Sequence, residues 1–272
     1  MNAAAATLST VARYQRVHLA CLRNCLAREL EYRASFIIKM LAATAWSLLS
    51  LLFTGLVFGN VREIEGWDMN RMLVLMGTFL VVDYLASAFV LANMTQLTRL
   101  VNQGELDFIL IRPISSQFLV SCRRVDYTDV PGAFVGAAYV LGGIARLGVR
   151  PDLEQIAGYV GLIAIALVTV YSGWFLTTTL VLYAGRINNI AFLFLPITDL
   201  GRMPTDVFKG VLRGIFTFLL PVAIIGTVPA SVLLGTMSAE VLLVHGAIAV
   251  ALLVLSSRFW TYSLRRYTSA SS

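Results

Sequence analysis

The sequence is poor in charge: only 13% of its 272 residues are Asp, Glu, Lys or Arg, whereas soluble domains have about 25%. Hydrophobic residues make up 58% of the chain, and its mean hydropathy is +0.79. Several apolar runs reach the roughly 20 residues that a helix needs to span the hydrocarbon layer. Because these runs are continuous and do not alternate as in a β-barrel, they predict an all-α integral membrane protein.

The sequence also lacks the motifs of common catalytic sites. Its only lysines, Lys39 and Lys209, lie outside any GxxxxGK[ST] phosphate loop. HExxH and GxSxG are absent. Cys21 and Cys25 share a helix face, but they lack a second pair of metal ligands. We therefore expect no catalytic residue, no metal site and no cofactor bound by this chain, and we predict that it is not an enzyme.

The net charge of +6 is distributed unevenly along the chain. Basic residues cluster near the N-terminus, after the second apolar run and at the C-terminus, whereas Arg62, Arg71, Arg146 and Arg150 lie in segments that contain acidic residues. This asymmetry follows the positive-inside rule for membrane proteins. It predicts that both termini and residues 104–115 lie in the cytoplasm, and it argues against nucleic acid as a partner.

We predict a single permease-like domain of about six membrane spans. Residues 1–35 form an N-terminal interfacial segment whose amphipathic helix covers about residues 9–33. Residues 36–260 form the membrane bundle, and residues 261–272 form a cytoplasmic tail. Five of the spans follow directly from the apolar runs, at about residues 36–58, 72–94, 130–147, 156–183 and 241–260.

The remaining span has two possible positions. In the first, residues 184–213 are a cytoplasmic loop and residues 214–235 cross the membrane. In the second, the chain crosses at residues 190–200, and residues 203–235 form a broken, re-entrant segment on the outer side. Charge favours the first, because the second exports Arg202, Lys209 and Arg213. Proline favours the second, because a straight helix does not accommodate the three prolines of this stretch, and we prefer it. The three prolines are Pro204, Pro221 and Pro229.

Polar residues within the spans are the candidates for a transport path. Asp83 is a functional candidate because charge inside a membrane is costly, although an Asp that is protonated or paired with Arg at an interhelical contact explains it equally. Tyr171, Trp174 and Thr178 share one face of the fourth span and could bind an amphiphilic substrate. Interhelical packing and interfacial anchoring explain the same three residues. In the third span, the motif from Gly132 to Gly136 has the GxxxG spacing of close helix packing.

Residues 104–115, GELDFILIRPIS, are too short to span a membrane but have the pattern of a short amphipathic helix. One side is apolar, and the other carries charge. Such a helix can rest on the bundle and present its other side to a cytoplasmic partner, or it can lie in the interface with no partner. The apolar side holds Leu106, Ile109 and Leu110, and the other holds Glu105, Phe108 and Arg112.

The order of these elements resembles that of ABC-2-type exporter permeases. The resemblance rests on an interfacial helix, two spans, a loop reading Gly104-x-Leu106-x-x-x-Leu110-x-x-Pro113, and a Pro-rich segment at residues 203–235 before the last span. It covers nearly the whole chain. Within this group the chain looks most like a bacterial six-helix branch.

The resemblance implies the membrane half of an ATP-driven transporter in the bacterial inner membrane. A cytoplasmic coupling helix would contact a separate ABC ATPase subunit, which would bind ATP and Mg²⁺. A second permease, identical or different, would complete the pair among membrane lipids. The region around Pro221 and Pro229 would form the outer gate. The coupling residues carried over are Gly104, Glu105, Leu106, Asp107, Phe108, Arg112 and Pro113.

Two other classes of function remain open at this point. An ion-coupled secondary carrier or channel would use Asp83 as its coupling site. A non-transporting membrane scaffold would bind partners without moving a substrate.

Overall fold

The computed structural model describes residues 2–184, 192–238 and 240–267. These residues are mostly helical, apart from loops and one short hairpin of strands β1 (Glu63–Ile64) and β2 (Trp67–Asp68). The α-helices are α1 (Asn2–Glu31), α2 (Arg33–Asn60), α3 (Met69–Asn102), α4 (Asp107–Leu110), α5 (Ser116–Ser121), α6 (Val130–Leu147), α7 (Leu153–Thr179), α8 (Val181–Ala184), α9 (Leu195–Asp199), α10 (Val211–Gly214), α11 (Thr227–Leu233) and α12 (Val241–Leu264).

Among the described residues, five helices are long and apolar enough to cross a membrane: α2, α3, α6, α7 extended through α8, and α12. This confirms the all-α membrane class. The hairpin and the first residues of α3 and α7 lie at one end of the bundle, which we call the hairpin end. Helices α4 and α5 lie at the other end, which we call the loop end. The charge distribution predicts that the loop end is cytoplasmic.

The first helix is longer than the predicted amphipathic segment and packs on the loop end. The backbone amide of Ser115 donates a 3.1 Å hydrogen bond to the Tyr14 hydroxyl, and the Tyr127 hydroxyl donates one of 3.3 Å to the carbonyl of Leu22. Leu19 and Leu26 are exposed on α1. An apolar surface beside a basic helix suits the membrane interface.

Helices α3 and α6 make the closest contact of the bundle through glycine. A Cβ atom on Gly77 of α3 would stand 2.6 Å from the carbonyl oxygen of Gly136, and one on Gly136 would stand 2.7 Å from that of Gly77. The Tyr84 ring covers Gly132 at the other end of the motif. The GxxxG spacing therefore does serve helix packing, because only glycine permits this approach of two backbones.

Helix α2 is attached to this pair by a few hydrogen bonds and is otherwise exposed. The Tyr84 hydroxyl donates to the carbonyl of Ala43 at 2.8 Å and accepts from Ser47 Oγ at 2.8 Å. The Tyr139 hydroxyl donates to the carbonyl of Ser47 at 3.0 Å. Ser47 and Thr54 are the residues of α2 that are buried.

The chain between α7 and α12 is broken into short helices. Phe194 packs on Gly173 near the loop-end half of α7, whereas the Thr205 amide donates to Thr227 Oγ1 and Asp206 accepts from the Trp67 indole at the hairpin end. The described chain thus runs from one end of the bundle to the other over residues 192–206 without a long helix.

The following segment enters the bundle again from the hairpin end. A Cβ on Gly226 would stand 3.4 Å from Leu75 of α3, and one on Gly235 would stand 2.7 Å from the Gln155 side chain in the first turn of α7. The backbone between them comprises a 3-10 turn at Val222–Ile225 and α11, both buried. These contacts agree with the broken, re-entrant alternative and not with one straight helix over residues 214–235. The count of six spans stays a prediction, because residues 185–191, with the predicted tight turn, lie outside the described residues.

The argument from charge against this arrangement is answered by ion pairs. Each basic residue that the re-entrant alternative exports has an acidic partner in the structure, so no unpaired cation has to be placed there. The pairs are Arg202 with Asp199 at 2.9 Å, Lys209 with Glu65 at 3.1 Å, and Arg213 with Asp206 at 2.7 Å.

Candidate functional site

Residues 104–113 form a tight turn and one helical turn at the end of α3; we call them the tip element. Gly104 has φ +72°, the left-handed conformation that favours glycine at the end of a helix. The amides of Glu105 and Leu106 both donate to the carbonyl of Leu100, at 2.8 and 3.2 Å. Arg99 and Glu105 lie 3.9 Å apart, and Arg112 Nε donates to the carbonyl of Phe108 at 3.3 Å.

The tip element has one anchored side and one exposed side. Leu106 and Ile109 are buried, whereas Phe108 is 67% exposed and Ile111 is 79% exposed. Leu110, which the pattern placed with the buried side, is exposed, because α4 is only one turn long and buries two positions. The other predicted coupling residues, Gly104, Asp107 and Pro113, belong to this same element.

The exposed side chains lie beyond the membrane. Helix α3 has 34 residues, which corresponds to about 50 Å at 1.5 Å per residue. The hydrocarbon core is about 30 Å thick, and the bilayer with its headgroups about 40–45 Å. Phe108 and Ile111 follow the end of this helix. Large apolar side chains in water at a protruding tip are typical of a surface that binds another protein.

Helix α5 connects the tip element to two spanning helices. Gln117 Nε2 donates to the Tyr171 hydroxyl of α7 at 3.2 Å and to Ser257 Oγ of α12 at 3.1 Å. Ser121 Oγ lies 2.8 Å from the same Tyr171 hydroxyl. Trp260 Nε1 of α12 donates to Ser116 Oγ at 3.2 Å. A displacement of the tip is therefore passed to α7 and α12 through hydrogen bonds.

The three residues proposed for a substrate path do not share one environment. Tyr171 belongs to the α5 network, whereas Trp174 and Thr178 are fully buried, with Phe194 packed edge-on against the Trp174 ring at 6.3 Å. Within the described part of the chain, Trp174 Nε1 and Thr178 Oγ1 have no hydrogen-bond partner. Buried polar atoms of this kind are uncommon and call for an explanation.

Asp83 lies beside the turn that follows α9. The guanidinium of Arg202 stands 5.2 Å from the ring centre of Phe79, one helical turn before Asp83 on α3. Arg202, Asp199 and Asp129 are the charged groups that act on Asp83. This position agrees with an Asp at an interhelical contact near an arginine, although among the described residues Asp83 forms no ion pair.

The two prolines predicted at the outer gate are both buried. Pro221 precedes the 3-10 turn at Val222–Ile225, and Pro229 lies in α11. This segment packs on α3 and α7 near the hairpin end. A gating role for it stays a prediction.

Two cysteines at the loop end are poor nucleophiles. Burial raises the pKa of the Cys122 thiol, and burial together with neighbouring Cys25 raises the pKa of Cys21. Both thiols are therefore protonated at neutral pH, which weakens them as metal ligands. Cys25 is buried, and its sulfur lies 3.6 Å from the carbonyl oxygen of Arg123.

The sequence did not single out Asn93, which joins α3 to the loop before α6. Its Nδ2 donates to the carbonyl of Arg124 at 2.7 Å, and its Oδ1 accepts from the Arg124 amide at 2.8 Å. An asparagine at the end of an apolar run is the signal that could have found this contact, because buried amides are paired.

A comparison with protein families matches residues 44–271 to a model described as ABC-2 family transporter protein. A comparison with curated proteins finds no match.

Proposed function

The chain belongs to the ABC-2 family of transporter proteins, and from this premise we propose that it is an export permease driven by a separate ATPase subunit. Membership makes it a transmembrane permease of an ABC transporter. ATP and Mg²⁺ would bind the ATPase, in keeping with the absence of a phosphate loop here. A second permease, identical or different, would complete the transporter in the bacterial inner membrane, with both termini in the cytoplasm.

The observation that carries the proposal is the tip element. Leu106 and Ile109 fix it to the bundle, while Phe108 and Ile111 present apolar surface past the end of a 34-residue helix. An apolar knob on a rigid base fits a cleft of a partner and transmits force to its own bundle. We assign this knob to the ATPase contact.

Coupling requires that ATP favour one conformation of the complex over the other. In the proposed cycle, closure of the ATPases displaces the tip element, and α5 passes the movement to α7 and α12 through Tyr171, Ser257 and Trp260. When α7 moves relative to Phe194, Trp174 Nε1 and Thr178 Oγ1 become accessible to water or to an amphiphilic substrate. Their lack of partners in this conformation supports that assignment.

The test starts from the unaltered chain. Purified in mild detergent together with the products of neighbouring genes, it should retain an ATPase that has nucleotide-binding motifs. The complex, reconstituted in vesicles, should move amphiphilic dyes only with ATP, and a complex with an inactive ATPase should not. Flux without ATP by this chain alone would favour an ion-coupled carrier that uses Asp83. Binding of partners without any flux would favour a scaffold.

Tyr171→Phe is expected to weaken coupling without dissociating the complex. The change removes the hydroxyl that contacts Gln117 and Ser121, and each such hydrogen bond contributes about 0.5–1.5 kcal/mol. Substrate-stimulated ATP hydrolysis should therefore fall roughly threefold to tenfold, while the ATPase still co-purifies. Tyr183→Phe is the matched control, because Tyr183 donates to Ser263 between α8 and α12 at 3.1 Å, outside the α5 network. Equal stimulation in both variants would contradict the role of Tyr171.

A further inference from the structure

A cleft at the loop end concentrates positive charge. It encloses ≈ 580 Å³ between α1, the last turns of α3 and the segment after α5. We call it the arginine cleft, since four of its lining side chains are arginines and none is acidic. Its lining residues are Cys25, Arg28, Thr95, Gln96, Arg99, Arg123 and Arg124.

Most of this charge is not neutralised within the protein. Arg99 stands 3.9 Å from Glu105. Among the described residues, Arg28, Arg123 and Arg124 have no ion-pair partner. Guanidinium groups gathered around one cavity repel each other, and an anion bound between them removes that repulsion. Arginine is suited to phosphate, because its planar fork donates two parallel hydrogen bonds.

The backbone that carries two of these arginines is fixed before any ligand arrives. Asn93, buried in α3, makes both of its amide hydrogen bonds to the backbone of Arg124. Cys25 of α1 contacts the carbonyl of Arg123. Binding an anion therefore requires ordering of side chains only, which lowers its entropic cost.

The depth of the cleft indicates the source of the anion. Counted from Met69, Asn93 lies about 36 Å and Arg99 about 45 Å along α3. Allowing for the hydrocarbon core of about 30 Å, these positions bracket the headgroup layer at the loop end. Phe108 and Ile111, which we assign to the ATPase, lie farther out. Basic pockets between membrane helices at this level are suited to anionic headgroups.

We propose that the arginine cleft is a binding site for the phosphate headgroup of an anionic phospholipid in the leaflet at the loop end. The lipid would join α1 to α3 and to the segment before α6, with its acyl chains in the adjoining hydrocarbon. The site is independent of the ATPase contact, so either proposal can fail alone.

The test measures lipid binding to the purified full chain by native mass spectrometry. Phosphatidylglycerol should bind the unaltered chain more tightly than phosphatidylcholine. In the double variant Arg28→Gln and Arg123→Gln this binding should weaken about 25-fold, which is about fivefold for each arginine at roughly 1 kcal/mol per basic residue near an anionic surface. The matched control is the variant Arg146→Gln and Arg150→Gln, two exposed arginines at the hairpin end, which should bind as the unaltered chain does.

Further arms decide between the sources of the anion. The double variant Arg28→Lys and Arg123→Lys keeps the charge and should retain most of the binding, which separates loss of charge from misfolding. Equal binding of both lipids, or equal losses in the test and control variants, would overturn the proposal. Competition by millimolar inorganic phosphate as strong as that by the lipid would assign the cleft to a soluble anion. Retained lipid with loss of the ATPase in the Gln variant would assign it to a protein partner. Either result would also overturn the proposal.

Discussion

Ile111→Asp is expected to release the ATPase from the purified complex, with an affinity at least about 30-fold lower. A carboxylate in an apolar contact loses its hydration and finds no cation, and the loss of one central apolar residue of an interface costs about 2 kcal/mol or more. The measurement is the amount of ATPase retained per permease, together with substrate-stimulated ATP hydrolysis.

Val211→Asp is the control for this experiment. Val211 is 79% exposed, as is Ile111, but it lies at the hairpin end. Both variants should keep the melting temperature of the unaltered chain, because neither side chain is buried. A complex with Ile111→Asp that retains its ATPase and its full stimulation would refute the assignment of the tip element.

Gly136→Leu is expected to prevent folding of the bundle or to lower its free energy of unfolding by about 3 kcal/mol or more. A Cβ at this position would stand 2.7 Å from the Gly77 carbonyl oxygen and 2.9 Å from the amide nitrogen of Val81. Backbone atoms cannot rotate away as a flexible side chain does, so α3 and α6 must separate, and overpacking of a core is costly. The measurement is the yield of monodisperse protein and its melting temperature in detergent.

Gly142→Leu provides the comparison on the same helix. A Cβ on Gly142 would meet no atom within 4 Å, so this substitution should leave the yield and the melting temperature nearly unchanged. If both leucine variants behaved alike, the contact between α3 and α6 would not be the reason that glycine is needed at position 136.

The spans were the part of the fold that the sequence predicted best. Runs of apolar residues determine them directly, because a helix in lipid satisfies its own backbone hydrogen bonds. The observed helices begin and end within about eight residues of the expected limits. The largest difference is at the end of the second span, where α3 continues to Asn102. Its last turns leave the membrane, so they need no apolar run.

Contacts between distant segments were not predictable from local pattern. The pairing of Asn93 with Arg124 and that of Gln117 with Tyr171 join residues 31 and 54 positions apart. No periodicity encodes such a partner. The arginine cleft has the same origin, because α1, α3 and the segment after α5 each supply part of it. Polar residues in or near apolar runs were nevertheless a signal, and Tyr171 was selected for that reason, although with a different role.

The broken segment was predicted in kind but not in detail. Three prolines within one stretch excluded a straight helix, and the structure has short helices and 3-10 turns there. The charge argument against it failed because sequence alone did not reveal that Asp199, Glu65 and Asp206 would pair with the three basic residues.

Helix α3 contains a π-helical turn at Ser87–Leu91, between Asp83 and the end that bears the tip element. Such a turn holds one residue more than α geometry does. If it tightened to an α-turn, the surplus residue would move along the helix, and the portion beyond it would rotate by about 100°. A push on the tip would then reach the membrane centre as a screw motion and not as a tilt, so the two halves of α3 could face different neighbours in the two states.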